Sequence, residues 1–208
     1  MKSPVSDWKQ ITRDSYNEHA SDFASFSSTY RGKMQTWTEE FAHLFSKGAE
    51  ILDIGCGAGR DAAFFIEKGL SVTGVDFSEK LIEIIKNRLP TGKFFVMDFE
   101  ELSFPENNCD GIWANASLYH IPKENLLRVF QKIYAVLKND GTFFSTFRVG
   151  KGEKMTQEKR GNAMLERYAA YYMPEDIQHL LQKAGFGEIE FEIDHIETGN
   201  WMRFLARK

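Results

Sequence analysis

Short apolar runs alternate with amphipathic stretches along most of this 208-residue chain. Ile51–Ile54, Val72–Val75, Phe94–Met97, Gly111–Ala114 and Thr142–Phe147 are too short for helices and mostly β-branched or aromatic, so each is a predicted strand. Helical patterns fill the intervals, at residues 59–68, 78–89 and 122–137. Ser78 suits an N-cap and Pro122 a first helical turn. Downstream, Pro174–Ala184 reads as a helix stopped by Gly185. Ile189, Phe191 and Ile193 alternate with Glu188, Glu190, Glu192 and Asp194, the pattern of a half-exposed strand, and Trp201–Ala206 is placed to close a hairpin with it. Upstream, Trp8, Ile11, Tyr16 and Ala20 mark a helix over Asp7–Ala20. Met34, Trp37, Phe41, Leu44 and Phe45 mark another over Arg31–Phe45.

Apolar strands separated by helices predict a parallel sheet covered on both faces, an α/β doubly wound architecture. One domain is expected over 1–208. Residues 1–48 form a helical N-terminal cap, 49–147 a ligand-binding core, and 148–208 a lid segment, a helix and a C-terminal β-hairpin.

Composition narrows the function. Hydrophobic residues make up 42% and charged residues 27%, and 18 Phe can fill a substantial core. The net charge of −4 lacks the basic footprint of a nucleic-acid binder. Two cysteines, Cys56 and Cys109, make neither a disulfide framework nor a metal motif, so no metal is expected. No apolar run is long enough to span a bilayer, and Met1–Asp7 lacks the apolar core of a signal peptide, so a cytoplasmic location is expected. The segment Arg148–Arg167 carries Arg148, Lys151, Lys154, Lys159, Arg160 and Arg167 against Glu153, Glu158 and Glu166. It reads either as a solvated loop and helix face or as a lid holding an anionic substrate.

The first strand runs into Asp53-Ile54-Gly55-Cys56-Gly57-Ala58-Gly59-Arg60. Glycines in such a turn let a ligand approach the backbone and admit positive φ. A dinucleotide fingerprint needs a third glycine where Arg60 stands. The acid at Asp53 repels a pyrophosphate and favours a cationic, amine-bearing ligand. Asp53, Gly55, Asp76, Asp98 and Asn115 all fall at or just past strand carboxyl ends, where open α/β sheets bind ligands.

This glycine-rich turn resembles the first motif of the class I S-adenosylmethionine (SAM)-dependent methyltransferases, of the type 11/25-like kind. Val72–Ser78, Phe95–Phe99, Cys109–His120 and Val136–Thr142 resemble the segments that follow it in that superfamily, in order. The tail Trp201–Lys208 is similar to a bacterial group related to tellurite-resistance methyltransferases. The resemblance implies a Rossmann-like seven-stranded sheet, mostly parallel with an antiparallel last strand. It implies SAM as cofactor and S-adenosylhomocysteine as product. It also implies roles for particular residues. Gly55, Gly57 and Gly59 admit the methionine part. Asp76 accepts the ribose hydroxyls. Phe77 packs on the adenine or in the core. Asp98, with the Phe99 backbone nearby, accepts the adenine amino group or caps a turn. Asn115 supports the methionine end, and Tyr16 covers the sulfonium or belongs to the core. His120 is the candidate general base, or a cap of the following helix. Arg148 is the candidate substrate anchor, with Arg160 and Trp201 behind it.

The expected reaction is methyl transfer through O, N or S to a small-molecule acceptor, an anionic one where the Arg-rich segment serves as a lid. A methyltransferase for an RNA base is the nearest alternative. Against it stand the Asn115-Ala116-Ser117-Leu118 sequence, where base N-methyltransferases carry an Asn/Asp-Pro-Pro motif, and the missing Pro-Cys nucleophile. Alternatives of another class are an NAD(P)-dependent oxidoreductase and a non-catalytic SAM-binding protein.

Overall fold

The computed structural model describes residues 7–29, 33–196 and 199–208. Three helices open it: α1 (Trp8–Glu18), α2 (Ala20–Thr29) and α3 (Lys33–Ala42). The expected start of the second helix at Arg31 lies outside the described residues, as does most of Met1–Asp7. A break at His19 separates α1 from α2, a helix that apolar spacing did not single out.

The core then alternates as expected: β1 (Glu50–Ile54), α4 (Arg60–Glu67), β2 (Ser71–Asp76), α5 (Glu79–Arg88), β3 (Lys93–Val96), β4 (Cys109–Ala114), α6 (Lys123–Val136) and β5 (Leu137–Val149). Short 3-10 turns, Phe99–Glu101 and Leu118–His120, follow β3 and β4. The Ser78 hydroxyl caps α5 by accepting from Leu81 N. Two strands follow, β6 (Glu153–Arg160) and β7 (Ala163–Tyr172). Then come α7 (Pro174–Ala184), β8 (Ile189–Ile196) and β9 (Gly199–Arg207). Gly185 ends α7 at φ 114°.

Strands β3, β2, β1, β4 and β5 pair in parallel in that order. β9 lies antiparallel to β5 and to β8, so the expected antiparallel last strand and closing hairpin are both present. These seven strands are joined by two more, because the segment read as a loop and helix face or as a lid is the antiparallel hairpin β6–β7. Its strand β7 pairs in parallel with Arg148 and Val149. At Arg148 the other edge of β5 belongs to β9, and β4 has already ended opposite Ser145. The hairpin therefore continues the sheet along the edge that β4 leaves, over the carboxyl end of β4.

Side-chain alternation along β5 shows how both faces are covered. Phe143 and Phe147 meet Phe130 of α6 at ring-centroid distances of 5.9 and 6.1 Å. Phe144 points the other way, stacks on Trp113 at 4.0 Å, and meets Trp37 and Phe41 of α3. Phe65 of α4 joins that second layer, 5.4 Å from Trp113. The sheet is thus doubly wound.

Helix α1 covers the exposed edge of the added hairpin. Thr12 and Ser15 turn their hydroxyls toward β7 and accept from Tyr168 N (3.0 Å) and Glu166 N (2.8 Å). Both donors are strand N–H groups that no further strand reaches, so the helix satisfies an edge that would otherwise be open. No helix among the described residues is long and apolar enough to cross a membrane.

Phe41 joins the cap to the sheet, touching Phe45, Phe65, Trp113 and Phe144 while 2% exposed. Phe41→Ala is expected to cost about 3–5 kcal/mol of unfolding free energy. Urea denaturation followed by tryptophan fluorescence checks this, and a loss below about 1 kcal/mol would mean that the cap does not depend on this contact.

Candidate active site

β1 delivers the chain into the glycine-rich turn. Gly55 is at φ 77°, and a Cβ there would lie 2.3 Å from Ser117 Cβ, so the turn backs directly onto the loop after β4. Gly59, at φ 83°, sits against Ile85 of α5, where a Cβ would be 2.6 Å from two of its carbons. Gly55 N and Cys56 N both donate to Val75 O, and Gly57 N donates to a carboxylate oxygen of Asp76 at 3.0 Å. The turn is in this way tied to the end of β2 on one side and to the β4 exit on the other.

A cleft opens above it. Its walls include Tyr16, Asp53, Gly55, Gly57, Asp61, Asp76, Phe77, Phe99, Asn115, Ser117 and His120. Most of the residues singled out from the sequence thus meet in one place, contributed by α1, β1, β2, the turn after β3 and the exit of β4. Gly59 is not part of the wall and serves the close packing of the turn on α5.

Three acids are buried here. Asp53 is 3% exposed, and its Oδ2 has no hydrogen-bond partner among the described residues. Burial, and then the charge of Asp61, push its carboxyl well above the usual carboxylate range. Asp76 accepts from Ser78 N (2.9 Å) and Gly57 N. Burial raises its carboxyl to about 6 against the pull of those N–H groups. Asp61 was not singled out from the sequence. It accepts from Arg60 Nε (2.6 Å), Trp113 Nε1 (2.9 Å) and Asn115 Nδ2 (3.1 Å). Burial opposes its ionisation, but the Arg60 charge and these donors hold the carboxyl below its ordinary value. An acid in the first turn of a helix next to an arginine was the available signal, and it is a common one.

Asn115 is fixed between Asp61 and Thr146, whose hydroxyl donates to its Oδ1 at 3.1 Å. The next residue, Ala116, has φ 53°, a left-handed conformation that a side-chain-bearing residue rarely adopts. Its N–H is held by Thr146 Oγ1 at 2.7 Å. The buried Ser117 hydroxyl has no partner among the described residues.

His120 is not the cap of the following helix, since α6 begins at Lys123 with Pro122 at its N-cap. Its Nδ1 meets the Tyr168 carbonyl, so that nitrogen carries the proton and Nε2 offers a lone pair. Nε2 faces the Tyr16 hydroxyl at 3.2 Å. Burial, then the Arg167 charge, put the imidazole well below its ordinary range, so it is neutral. The Tyr16 hydroxyl also accepts from Arg167 Nη1 at 2.6 Å, and burial is the main cause of its rise to about 12.

Two expected site residues stand elsewhere. The Asp98 carboxylate is committed to Glu100 N and to Lys9 Nζ (2.6 Å) and does not line the cleft, which matches the turn-capping alternative. The Arg148 guanidinium pairs with Glu158 at 2.6 Å and lies over the Trp201 ring, outside the cleft wall. The positions facing the cleft side are taken by Arg160 and Arg167, which line an adjoining cavity with Phe23, Phe26, Tyr119 and Trp201. Arg167 was counted only as one of a basic group. Ala163, Leu165 and Arg167 alternate inward along β7, and that period of two was the missed signal.

A family model described as a methyltransferase domain matches residues 51–141. The chain is 25% identical to a demethylmenaquinone methyltransferase of Symbiobacterium thermophilum, over 89% of this chain and 88% of the relative. It is 30% identical to a phosphoethanolamine N-methyltransferase of Plasmodium falciparum, over 49% of this chain and 40% of that one. Among solved structures, it is similar to a 1,6-didemethyltoxoflavin-N1-methyltransferase of Burkholderia thailandensis, bound to its substrate and S-adenosylhomocysteine. The TM-score is 0.76 at 21% identity, covering 100% of this chain and 91% of the other. The likeness to that structure is one of fold.

Asp61→Ala strands N–H donors on three residues, Arg60, Trp113 and Asn115, and is expected to lower the unfolding free energy by about 1–3 kcal/mol. Asp61→Asn, which keeps one acceptor oxygen, should lose less. Equal stability of Asp61→Ala and wild type in urea titration would mean that water replaces the carboxylate without cost.

Proposed function

Because the chain belongs to the class I SAM-dependent methyltransferase superfamily, we propose that it transfers the methyl group of SAM to an anionic small-molecule acceptor through O, N or S. S-adenosylhomocysteine is the other product. The observation that carries this reading is the unpartnered Asp53 carboxylate oxygen, buried in the cleft beside the glycine-rich turn. A buried carboxylate oxygen without a donor is costly. The α-ammonium of SAM supplies a donor and a positive charge together, so the residues present fit this group.

Asp76 would take the ribose hydroxyls. Its two oxygens each accept one backbone N–H and each keep further acceptor capacity. Phe77 and Phe99, with ring centroids 5.8 Å apart, would take the adenine. The Tyr16 ring would face the sulfonium, a favourable place for a cation. SAM brings both the methyl group and its leaving group, so the chain contributes chiefly proximity and orientation. Asn115 and Ala116, held by Asp61 and Thr146, fix the wall between the cofactor cleft and the adjoining cavity.

Where the acceptor carries a proton, His120 is our proposed base, acting through Tyr16. The Tyr16 oxygen takes the acceptor's proton as its own moves to His120 Nε2. Arg167 stabilises the phenolic oxygen during that exchange, while the Tyr168 carbonyl holds the imidazole in the right tautomer.

Calorimetric titration with SAM, S-adenosylhomocysteine and NADH tests the cofactor. The first two are expected to bind and NADH is not; binding of NADH alone would favour an oxidoreductase. Asp76→Ala should weaken SAM binding by about 1.5–3 kcal/mol. Hydroxyl donors bond more strongly to the ionised carboxylate than to the neutral acid, so wild-type affinity should rise as pH increases through about 6. A flat profile would place the ribose elsewhere. His120→Ala should leave SAM affinity unchanged and lower kcat by about 10²–10⁴, once an acceptor is in hand; unimpaired turnover would remove the base.

A further inference from the structure

A second cavity adjoins the cofactor cleft, with Tyr16, Phe23, Ser27, Arg60 and Ala116 common to both. Its remaining wall is chemically divided. One part is apolar and mostly aromatic: Phe26, Met34, Tyr119 and Trp201. The other is cationic: Arg160 and Arg167 of the β6–β7 hairpin.

These two guanidiniums are held side by side in an unusual way. Arg160 Nη2 and Arg167 Nη2 both donate to the same oxygen, Glu158 Oε2, at 2.6 and 2.5 Å. Arg148 takes Oε1 of that carboxylate. One carboxylate therefore serves three guanidiniums. Arg167 is 2% exposed, and its Nε–H is buried with no acceptor among the described residues. Aromatic rings flank both cations, with Arg160 5.9 Å from the Phe26 centroid and Arg167 5.7 Å from that of Tyr16. Concentrating positive charge in a largely aromatic, water-poor space is unfavourable unless an anion joins it. An aromatic wall favours a flat apolar body on the same ligand.

Resting on the methyltransferase reading, we propose that this cavity is the acceptor subsite and that it selects an aromatic ring bearing a carboxylate. The carboxylate is held by Arg160 and Arg167, and the ring lies among Phe23, Phe26 and Trp201. The far end of such a ring is directed toward Tyr16 and Ala116, the residues shared with the cofactor cleft, where its nucleophile meets the methyl group. A carboxylate is chosen over a phosphate because a dianion costs more to desolvate between aromatic walls. Glu158 already shows that a flat carboxylate fits between the two guanidiniums.

The test uses the full chain saturated with S-adenosylhomocysteine. Benzoate, indole-3-carboxylate and 1-naphthoate are titrated beside their primary amides, cyclohexanecarboxylate and phenyl phosphate. At least one aromatic carboxylate is expected to bind roughly tenfold tighter than its own amide and than cyclohexanecarboxylate. Arg160→Met should abolish that preference while leaving S-adenosylhomocysteine affinity unchanged. Arg160 is at the end of its strand and outside the cofactor cleft, so this variant tests charge without removing the buried Arg167. Equal binding of acids and amides, tighter binding of phenyl phosphate, or a preference that survives Arg160→Met would each overturn the proposal. So would S-adenosylhomocysteine binding with no carboxylate bound at all. Loss of S-adenosylhomocysteine binding by the wild type would instead overturn the methyltransferase reading itself, and this inference with it.

Discussion

Three carboxylates are buried in one cleft, and among the described residues only Asp61 has a cation paired to it. That concentration of negative charge is the constraint around which the site is organised. Each acid meets it differently. Asp61 gathers Arg60, Trp113 and Asn115 and stays ionised. Asp76 uses two backbone N–H groups, one of them from the glycine-rich turn, and is left near the middle of its titration at slightly acid pH. Asp53 keeps one oxygen without a donor and is held toward the neutral acid. The glycines follow from this arrangement. Gly57 can bring its N–H to Asp76 only because the turn passes close to the β2 end, and Gly55 allows that approach by packing against Ser117 with no side chain between them. A cationic ligand entering the cleft relieves two strained acids at once, so binding and stability are coupled through the same groups.

On the opposite wall, charge of the other sign is gathered on the added hairpin. Arg167 is the joint between them. Its guanidinium reaches Tyr16 of the cap, Tyr119 beyond β4 and Glu158 of the neighbouring strand. The cap is therefore not merely laid over the cleft. Helix α1 gives Thr12 and Ser15 hydroxyls to the β7 backbone, and the Tyr16 hydroxyl, on the same helix, accepts from a β7 side chain. Cap and hairpin stabilise one another, and each holds the other's cleft-facing residues in place.

How legible this was in the sequence depended on the range of the interaction. Local signals read well. The apolar runs of β1, β2 and β4, the Ser78 cap, the Gly185 stop and the alternation over β8 each rest on neighbours within a few residues, and the structure contains them all. Asp53, Asp76 and Phe77 line one cleft, as their places at strand ends led one to expect. The hairpin β6–β7 was not legible, because Glu153–Arg160 has almost no apolar residues and so gives no alternating hydrophobic signal. Beyond the pairing of its own two strands, it is held by Arg148 and Val149 of β5 and by hydroxyls of α1, the latter about 150 residues away in sequence. The same reason separates Arg148 from Arg167. Both are strand arginines that pair with Glu158, and only the three-dimensional path of the hairpin decides that Arg148 lies over Trp201 while Arg167 reaches Tyr16. Asp98 shows the limit of a motif position. The residue is where the pattern requires, yet Lys9, brought in by α1, claims its carboxylate.

The division of the site has a consequence for how such a chain acquires its acceptor. The acids and the glycine turn are carried by β1, β2 and the first turn of α4, and the parallel sheet fixes the geometry of the two strands. Apart from Tyr119 after β4, the cationic and aromatic wall is carried by the hairpin, by α2 and by Trp201 on β9, none of which sets the register of that sheet's first four strands. Substitutions at Phe26, Arg160 and Trp201, which line the adjoining cavity and not the cleft, change its charge and shape without touching the backbone N–H groups around Asp76. Tyr16 is the exception, because it lines both cavities and is bonded to both His120 and Arg167. A change there alters the walls of both cavities and the contacts to His120 and Arg167 together, so this position is the least free of those that line the two cavities.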